Sequence, residues 1–416
     1  MKTIRIPFLA TTLLCASFLS PVRENTFITE NFSFARTQLK NMLTEANTRS
    51  DVFPRSIDKQ GNLVLTNKYE WTSGFFPGSL WYAYEGTKDE NIKAEAVKWT
   101  EKLDSLRTYT EHHDLGFMMY CSYGNAYRLT GNEHYKDILV QAARSLSTRF
   151  SPKTGCIRSW NVFGSWDAKG RYNFPVIIDN MMNLELLFFA SKVTGDQQYK
   201  DIAISHIEKV IKNQVRDDYS CYHVVCYDSA TGAVLTRETA QGYSNNSTWA
   251  RGQSWGIYGF TVAYRETGDK RYLKIARKMA DYYLDNKELP QDKIAYWDFY
   301  ANNPGYTPSV KSRALETPAK FRDASAAAIT ASALLELSTM LENDGKKYEQ
   351  GASDILHSLS SPVYRAKEGS NGNFILKHSV GSIPHGSEID VPLVYADYYY
   401  LEALNRYRNI INKADN

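Results

Sequence analysis

The sequence predicts an all-α protein, six helical hairpins closed into a single-domain (α/α)6 toroid. Three observations lead there: a recurring turn motif, an alternation of polar and apolar helical segments, and loops of two contrasting lengths. The segments YRLTGNEHYKDI, SKVTGDQQYKDI and YRETGDKRYLKI are near copies, and YEGTKDENIKAE is a looser one. Each close copy sets Thr-Gly-Asn/Asp between two amphipathic patterns, with Tyr135, Tyr199 and Tyr272 five residues after the Thr. Gly can take the left-handed position that ends one helix, and Asn or Asp can then cap the next. That combination is an αα-hairpin turn.

Anchored on these turns, the more polar helices are expected near 31–47, 90–108, 133–148, 197–213, 270–285 and 346–360. Their more apolar partners are expected near 72–86, 114–129, 177–193, 251–266, 323–340 and 388–407. A helix with one apolar stripe lies outside, and one apolar on most sides is buried. Links from inner to next outer helix are short, whereas 149–175, 214–249 and 286–321 run to tens of residues. Long loops in a compact domain usually carry function or disorder. Trp160, Trp166, Tyr222, His223, Trp297, Tyr300 and Tyr306 within them argue for function. These loops should gather at one mouth of the toroid, with the inner-helix N-termini.

Composition narrows the class. The 416 residues are 43% hydrophobic and 23% charged, ordinary for a soluble globular chain, and the net charge of +3 gives no footprint for nucleic acid. The 29 Tyr, 8 Trp and 18 Phe suit either a sugar-binding cleft or a Tyr-rich core. Residues 1–20 read as a secretory signal, with Lys2 and Arg5 before an apolar run from Ile6 to Leu19 and cleavage near Ser17. No later stretch is long enough to span a membrane. The mature domain, 21–416, is therefore expected to be exported, to the periplasm or beyond. Cys121, Cys156, Cys221 and Cys226 show no zinc spacing, and a chain of this size does not depend on a disulfide.

Acidic residues recur where inner helices should begin: Asp114, Asp179, Asp323 and Asp390. Any of them could be a cap, since Asp accepts orphan N–H groups and suits the helix dipole. Asp179 stands apart, because it lies inside FPVIIDNMMNLELLFFA. A carboxylate in so apolar a run is desolvated, and needs a partner or a raised pKa. Two such groups at neighbouring helix starts would repel each other and favour one protonated acid.

The blocks YEWTSGFFPGSLWYAYE, HHDLGFMMYCSYGNAYRLTG, VIIDNMMNLELLFFAS, STWARGQSWGIYGFTVAYRETGD and GSEIDVPLVYADYYYLEAL together resemble the unsaturated glucuronyl hydrolases, glycoside hydrolase family 88. The resemblance spans roughly 30 to 407, and WARGQSWGIYGF is its most specific block. It implies a six-hairpin glycosidase barrel without metal or cofactor. The implied substrate is a lyase-generated disaccharide or short oligosaccharide with a 4,5-unsaturated uronic acid at its non-reducing end. It also implies Asp179 as general acid/base and Asp114 as the second essential aspartate, preceded by His113. His223, Gln241, Arg251 and Trp255 would line the unsaturated-sugar subsite, with Trp71 and Trp160 as aromatic walls. Arg251 is expected to clamp the substrate carboxylate through two parallel N–H···O bonds.

One departure concerns sulfate. Some family members that favour sulfated glycosaminoglycan fragments carry Ser-x-x-Ser-x-Lys before the last helix; here Ser379 and Ser382 are followed by Pro384 where the Lys would be. Lys377, His378 and His385 are the cations at hand. Two rival readings share the fold, an unsaturated rhamnogalacturonyl hydrolase acting on pectin fragments and a non-catalytic sugar-binding protein. The paired aspartates argue against the latter.

Overall fold

A computed structural model describes residues 21–317 and 320–414. The secretory signal read from residues 1–20 lies outside the described residues. Twelve α-helices are present among those described: α1 (Pro21–Ala46), α2 (Phe75–Thr87), α3 (Glu90–Glu101), α4 (Asn125–Thr130), α5 (Glu133–Ser147), α6 (Leu184–Thr194), α7 (Gln197–Asn213), α8 (Ala250–Thr267), α9 (Lys270–Leu284), α10 (Ala324–Ser338), α11 (Gly345–Leu359) and α12 (Val394–Ala414). The even-numbered helices form a closed inner ring, in which α12 packs on both α10 and α2. The odd-numbered helices form the outer ring. This is the expected (α/α)6 toroid.

The repeated turn closes as its residues require. Gly131, Gly195 and Gly268 take left-handed φ values of 67°, 75° and 71°. The side chains of Asn132, Asp196 and Asp269 then accept the backbone N–H of His134, Gln198 and Arg271. The looser copy uses the same geometry with Lys88 at φ 57° and Asp89 as the cap. The recurrent tyrosine bolts neighbouring outer helices together. The Tyr135 hydroxyl donates to Glu101 at 3.0 Å and that of Tyr272 to Glu208 at 2.7 Å.

Three inner segments depart from regular α-helix where the mouth forms. The second begins as a π-helix over Gly116–Gly124, and the third as a 3-10 turn over Ile178–Asn183. The last starts at Val394 instead of near 388, because Ser387–Val391 is a strand paired with Ser379–Ser382. Pro392, lacking an N–H, follows that strand. Asp390 is consequently an exposed strand residue at φ 58°, paired with His378 at 2.7 Å, and does not begin a helix. Cys121, Cys156, Cys221 and Cys226 are buried free thiols. No helix among the described residues is long and apolar enough to cross a membrane.

The inner ring packs backbone close to backbone, and small residues permit it. A Cβ at Gly259 of α8 would lie 2.4 Å from the Met181 Cβ and 3.3 Å from its carbonyl. Alanine is favoured over glycine in a helix interior by about 1 kcal/mol, but the 3-10 backbone here cannot retreat. Gly259→Ala should therefore lower stability by about 1–3 kcal/mol, the usual range for an overpacked core. The check is a urea midpoint below that of the wild type, and an unchanged or raised midpoint would refute the close-approach argument.

Candidate active site

A three-stranded sheet at the mouth sets the central pair. Pro175–Ile177 pairs antiparallel with Val224–Tyr227, which pairs in turn with Val234–Glu238. Val224 faces Ile177, and the Ile178 N–H donates to the His223 carbonyl at 3.0 Å. The residues that continue these strands, Asp179 and His223, thus end side by side. His223 Nε2 lies 3.7 Å from Asp179 Oδ2.

Hydrogen bonds fix the tautomer of that histidine. Its Nδ1 accepts the backbone N–H groups of Ala240 and Gln241, each at 3.1 Å. The proton must then sit on Nε2, the nitrogen that faces Asp179. Burial pushes the His223 pKa well below its ordinary value, and the positive charge of Arg251 adds to the shift. His223 is therefore a neutral donor aimed at the carboxyl. Its ring lies over Trp249, with centroids 4.4 Å apart, and Trp160 meets its edge at 6.4 Å.

The second carboxylate is built by the same logic. Asn183 accepts the Phe117 N–H through Oδ1 at 3.1 Å, which turns its Nδ2 toward His113 Nδ1 at 3.3 Å. His113 Nδ1 is thereby the acceptor, and Nε2 carries the proton, 3.3 Å from Asp114 Oδ1. Burial holds the His113 pKa down at about 4. On the other side, His112 Nδ1 lies 3.0 Å from Asp114 Oδ2. The Asp114 side chain caps no helix: the π-helix that follows has no side-chain cap.

The two carboxylates differ in charge. Burial raises the Asp179 pKa to about 7, with Arg251 opposing the rise and Asp114 adding to it. Burial also works against charge on Asp114, but His113, His112 and Arg149 outweigh it and hold that pKa below the ordinary value. One acid is poised to donate a proton near neutrality while its neighbour stays ionised. Such divergence is how paired carboxylates take separate acid and base roles.

The other expected residues fall into two groups. Trp71 is half-buried against Phe75, Phe117 and Tyr395, and Trp160 is half-buried beside His223, so both flank the mouth. Gln241 is half-buried and offers its N–H to His223. Trp255 is fully buried behind Asp179, between Phe117 and Tyr399 at 5.1 and 5.4 Å. Its indole N–H weakly favours the charged form of Asp179, though the two do not reach hydrogen-bond geometry.

Arg251, expected as a carboxylate clamp, is largely held within the chain. Its side chain is 1% exposed and spends both terminal nitrogens internally, on Asp323 Oδ2 at 3.3 Å, the Val380 carbonyl, and the Gly381 carbonyl at 2.8 Å. Asp323 in turn caps α10 through Ser325 N–H at 3.0 Å. This pair ties the Ser379–Ser382 strand to the barrel. The charge of Arg251 opposes the rise in the Asp179 pKa, while its buried Nε keeps an N–H without a partner among the described residues. Sequence reasoning passed over His112, Asn183 and Arg149. The doubled histidine of EHHDLGF and the asparagines on either side of the two methionines in DNMMN were the available signals.

A separate cavity of about 420 Å³ lies at the opposite end of the toroid, lined by Tyr82, Tyr120, Glu185, Glu402 and Arg406 among others. Phe117 lines it and also meets the rings of Trp71 and Trp255. No group of three His, Cys, Asp or Glu side chains with metal-binding geometry occurs among the described residues.

Residues 45–265 match Glycosyl Hydrolase Family 88. The chain is 44% identical to an unsaturated glucuronyl hydrolase of Formosa agariphila, over 87% of this chain and 86% of that protein. It is 35% identical to an unsaturated chondroitin disaccharide hydrolase of Streptococcus agalactiae, over 89% of each. Among solved structures, it superposes on an unsaturated glucuronyl hydrolase specific for heparin with a TM-score of 0.84 and 46% identity, covering 93% of this chain and 98% of the other.

The position of Arg251 makes a stability prediction. Arg251→Lys keeps a charge but cannot reach two carbonyls and Asp323 together. Each charge-assisted hydrogen bond lost should cost about 1.5–3 kcal/mol. A clearly lowered melting temperature is the expected result. A native melting temperature with a raised KM would instead return Arg251 to the substrate.

Proposed function

Because the chain belongs to glycosyl hydrolase family 88, we propose that it removes the 4,5-unsaturated uronic acid from the non-reducing end of lyase-generated glycosaminoglycan-type oligosaccharides. The observation that carries the mechanism is the contrast in partners. Asp179 is buried with His223 Nε2 at 3.7 Å, whereas Asp114 lies between His112 and His113 at 3.0 and 3.3 Å. Burial therefore raises the pKa of the first, and charge lowers that of the second. An unsaturated uronate is an enol ether. A proton delivered to C4 leaves positive charge shared by C5 and the ring oxygen, and Asp179 is the group able to supply it. Water then adds at C5, its proton taken by the Asp179 carboxylate just formed. The resulting hemiketal opens to a ketone at C5, and the hemiacetal exposed at C1 expels the aglycone. The bond-making events occur at C4 and C5, so this is not the anomeric displacement of ordinary glycosidases.

The remaining residues fit supporting roles. His223 directs an N–H at the reacting face, and Trp71 and Trp160 offer flat walls to a sugar ring. Asp114 favours the protonated form of Asp179 by like-charge repulsion. A non-catalytic binding protein has no use for carboxylates tuned apart in this way, and no feature of the mouth favours the pectin-fragment reading. We further propose that heparin-type fragments are better substrates than sulfated chondroitin ones. Pro384 in place of the sulfate-linked lysine, and the 46% identity to a heparin-specific structure, support that preference. Export through the residue 1–20 signal, with 21–416 as the working domain, completes the reading.

Four outcomes test it. Asp179→Asn should abolish turnover of an unsaturated heparin disaccharide, followed by loss of C4=C5 ultraviolet absorbance, while the substrate still binds. Retention of more than about a tenth of kcat would remove Asp179 from the role, since a general acid typically contributes 10²–10⁴-fold. The acid form of Asp179 prevails below its pKa of about 7, so kcat/KM should fall as pH rises through that value. In Asp114→Asn a repelling charge is lost and the Asp179 pKa drops. The basic limb should then move to lower pH, with activity down by roughly 10²-fold or more and near-native melting. Equal turnover of sulfated chondroitin and heparin disaccharides would overturn the preference alone.

A further inference from the structure

Two histidines flank the Asp114 carboxylate, His112 at 3.0 Å and His113 at 3.3 Å, and they differ in kind. His113 offers a neutral N–H whose tautomer Asn183 fixes. His112 has no such partner. Its Nε2 lies 3.0 Å from the Tyr69 carbonyl, an oxygen that can only accept, so Nε2 carries a proton. Its Nδ1 lies between two atoms of the same residue, 3.2 Å from the Asp114 backbone nitrogen and 3.0 Å from Oδ2. As placed, Nδ1 accepts that backbone N–H, the contact a neutral imidazole makes. An imidazolium would donate to the carboxylate instead. The contact that forms is therefore decided by the charge on the ring.

The groups facing His112 favour the imidazolium. Glu111, His113 and Asp114 belong to its own turn, and Tyr69, Tyr109 and Arg149 face it from elsewhere. Glu111 takes a hydrogen bond from Asn161 at 3.0 Å. Burial and Arg149 oppose charge on the ring, yet the bond to Asp114 and its negative charge outweigh them and raise the His112 pKa. His112 is partly open to solvent, its side chain 18% exposed, so it can exchange a proton without opening the barrel. His113, fully enclosed, cannot.

We propose that His112 is a positioning residue which, as an imidazolium, keeps Asp114 ionised and so keeps the single proton of the carboxylate pair on Asp179. With His112 uncharged, Arg149 is the remaining cation opposing protonation of Asp114, which then competes for that proton. Whenever Asp114 holds it, Asp179 is the anion and cannot protonate C4. His112 transfers no proton to substrate and acts only through Asp114. The inference rests on Asp179 being the acid in the reaction proposed above.

Two measurements on the full chain test it. The first is ring-resonance titration by NMR of histidine-labelled wild type, Asp114→Asn and His112→Gln, the last identifying the His112 signal. His112 should titrate above free histidine in the wild type and fall toward it in Asp114→Asn. Titration at or below free histidine in the wild type overturns the proposal. Should His112→Gln not fold, the assignment still holds, because burial keeps His113 at about 4 and the signal that moves at higher pH in Asp114→Asn is then that of His112.

The second is the pH profile of kcat/KM on an unsaturated disaccharide. His112→Gln still donates to Tyr69 but carries no charge. Its acidic limb, which reports protonation of Asp114, should rise by about one pH unit or more, the shift expected when an opposite charge is removed from hydrogen-bond range. At neutral pH kcat/KM should fall about ten- to a hundredfold, the kinetic equivalent of one charge-assisted hydrogen bond. His112→Lys, which restores the charge, should return the limb toward its wild-type position. An acidic limb unmoved in His112→Gln, or unmoved on restoring charge, overturns the proposal. A wild type inert on every unsaturated uronide would refute the proposed function instead, while the NMR titration still decides whether His112 is the cation of the pair.

Discussion

Asp179 and Asp114 share one water-poor end of the toroid, and two carboxylates in such a place cannot both be ionised without strong compensation. Much of the mouth is arranged around that constraint. Asp114 receives the compensation, from His112, His113 and Arg149. Asp179 receives little beyond the field of Arg251, and burial leaves it half-neutral near pH 7. A symmetric pair would share its proton and have no fixed acid. The asymmetry of partners gives each carboxylate a distinct state.

The asymmetry depends on backbone that regular helix could not supply. The π-helix over Gly116–Gly124 and the 3-10 turn over Ile178–Asn183 bring two inner segments into register at the mouth. Gly116 permits it, since a Cβ there would strike the Asn183 backbone at 2.4 Å. Asn183 uses the resulting contact twice, accepting the Phe117 N–H and orienting His113. Wide helical turns often occur at functional sites, because they re-aim side chains that ordinary spacing would turn elsewhere. A single asparagine thus links the geometry of one inner segment to the protonation of the next.

Arg251 and Asp323 show how strongly burial can redirect a charged residue. Facing an anionic substrate, an arginine at a helix start looks like a clamp. Inside a closed ring the same guanidinium finds two carbonyls and a carboxylate of its own chain, and desolvation commits it to them. From that fixed position its charge lowers the Asp179 pKa and the His223 pKa.

What the sequence determined by itself was local and periodic. Turn chemistry at Thr-Gly-Asn/Asp, the alternation of apolar and polar helices and the unequal loops specified six hairpins. Asp179 announced itself by its apolar surroundings, a property readable within a few residues. Tertiary structure alone decided which polar groups meet across long separations in the chain. Ser387–Val391 became a strand by pairing with Ser379–Ser382, removing Asp390 from the helix starts. His112 gained its contact with Tyr69, 43 residues away, and Arg251 its carbonyls some 130 residues away. Charge states at the mouth follow from those distant contacts, because burial and neighbouring charge set a pKa, and neither has a period along the chain.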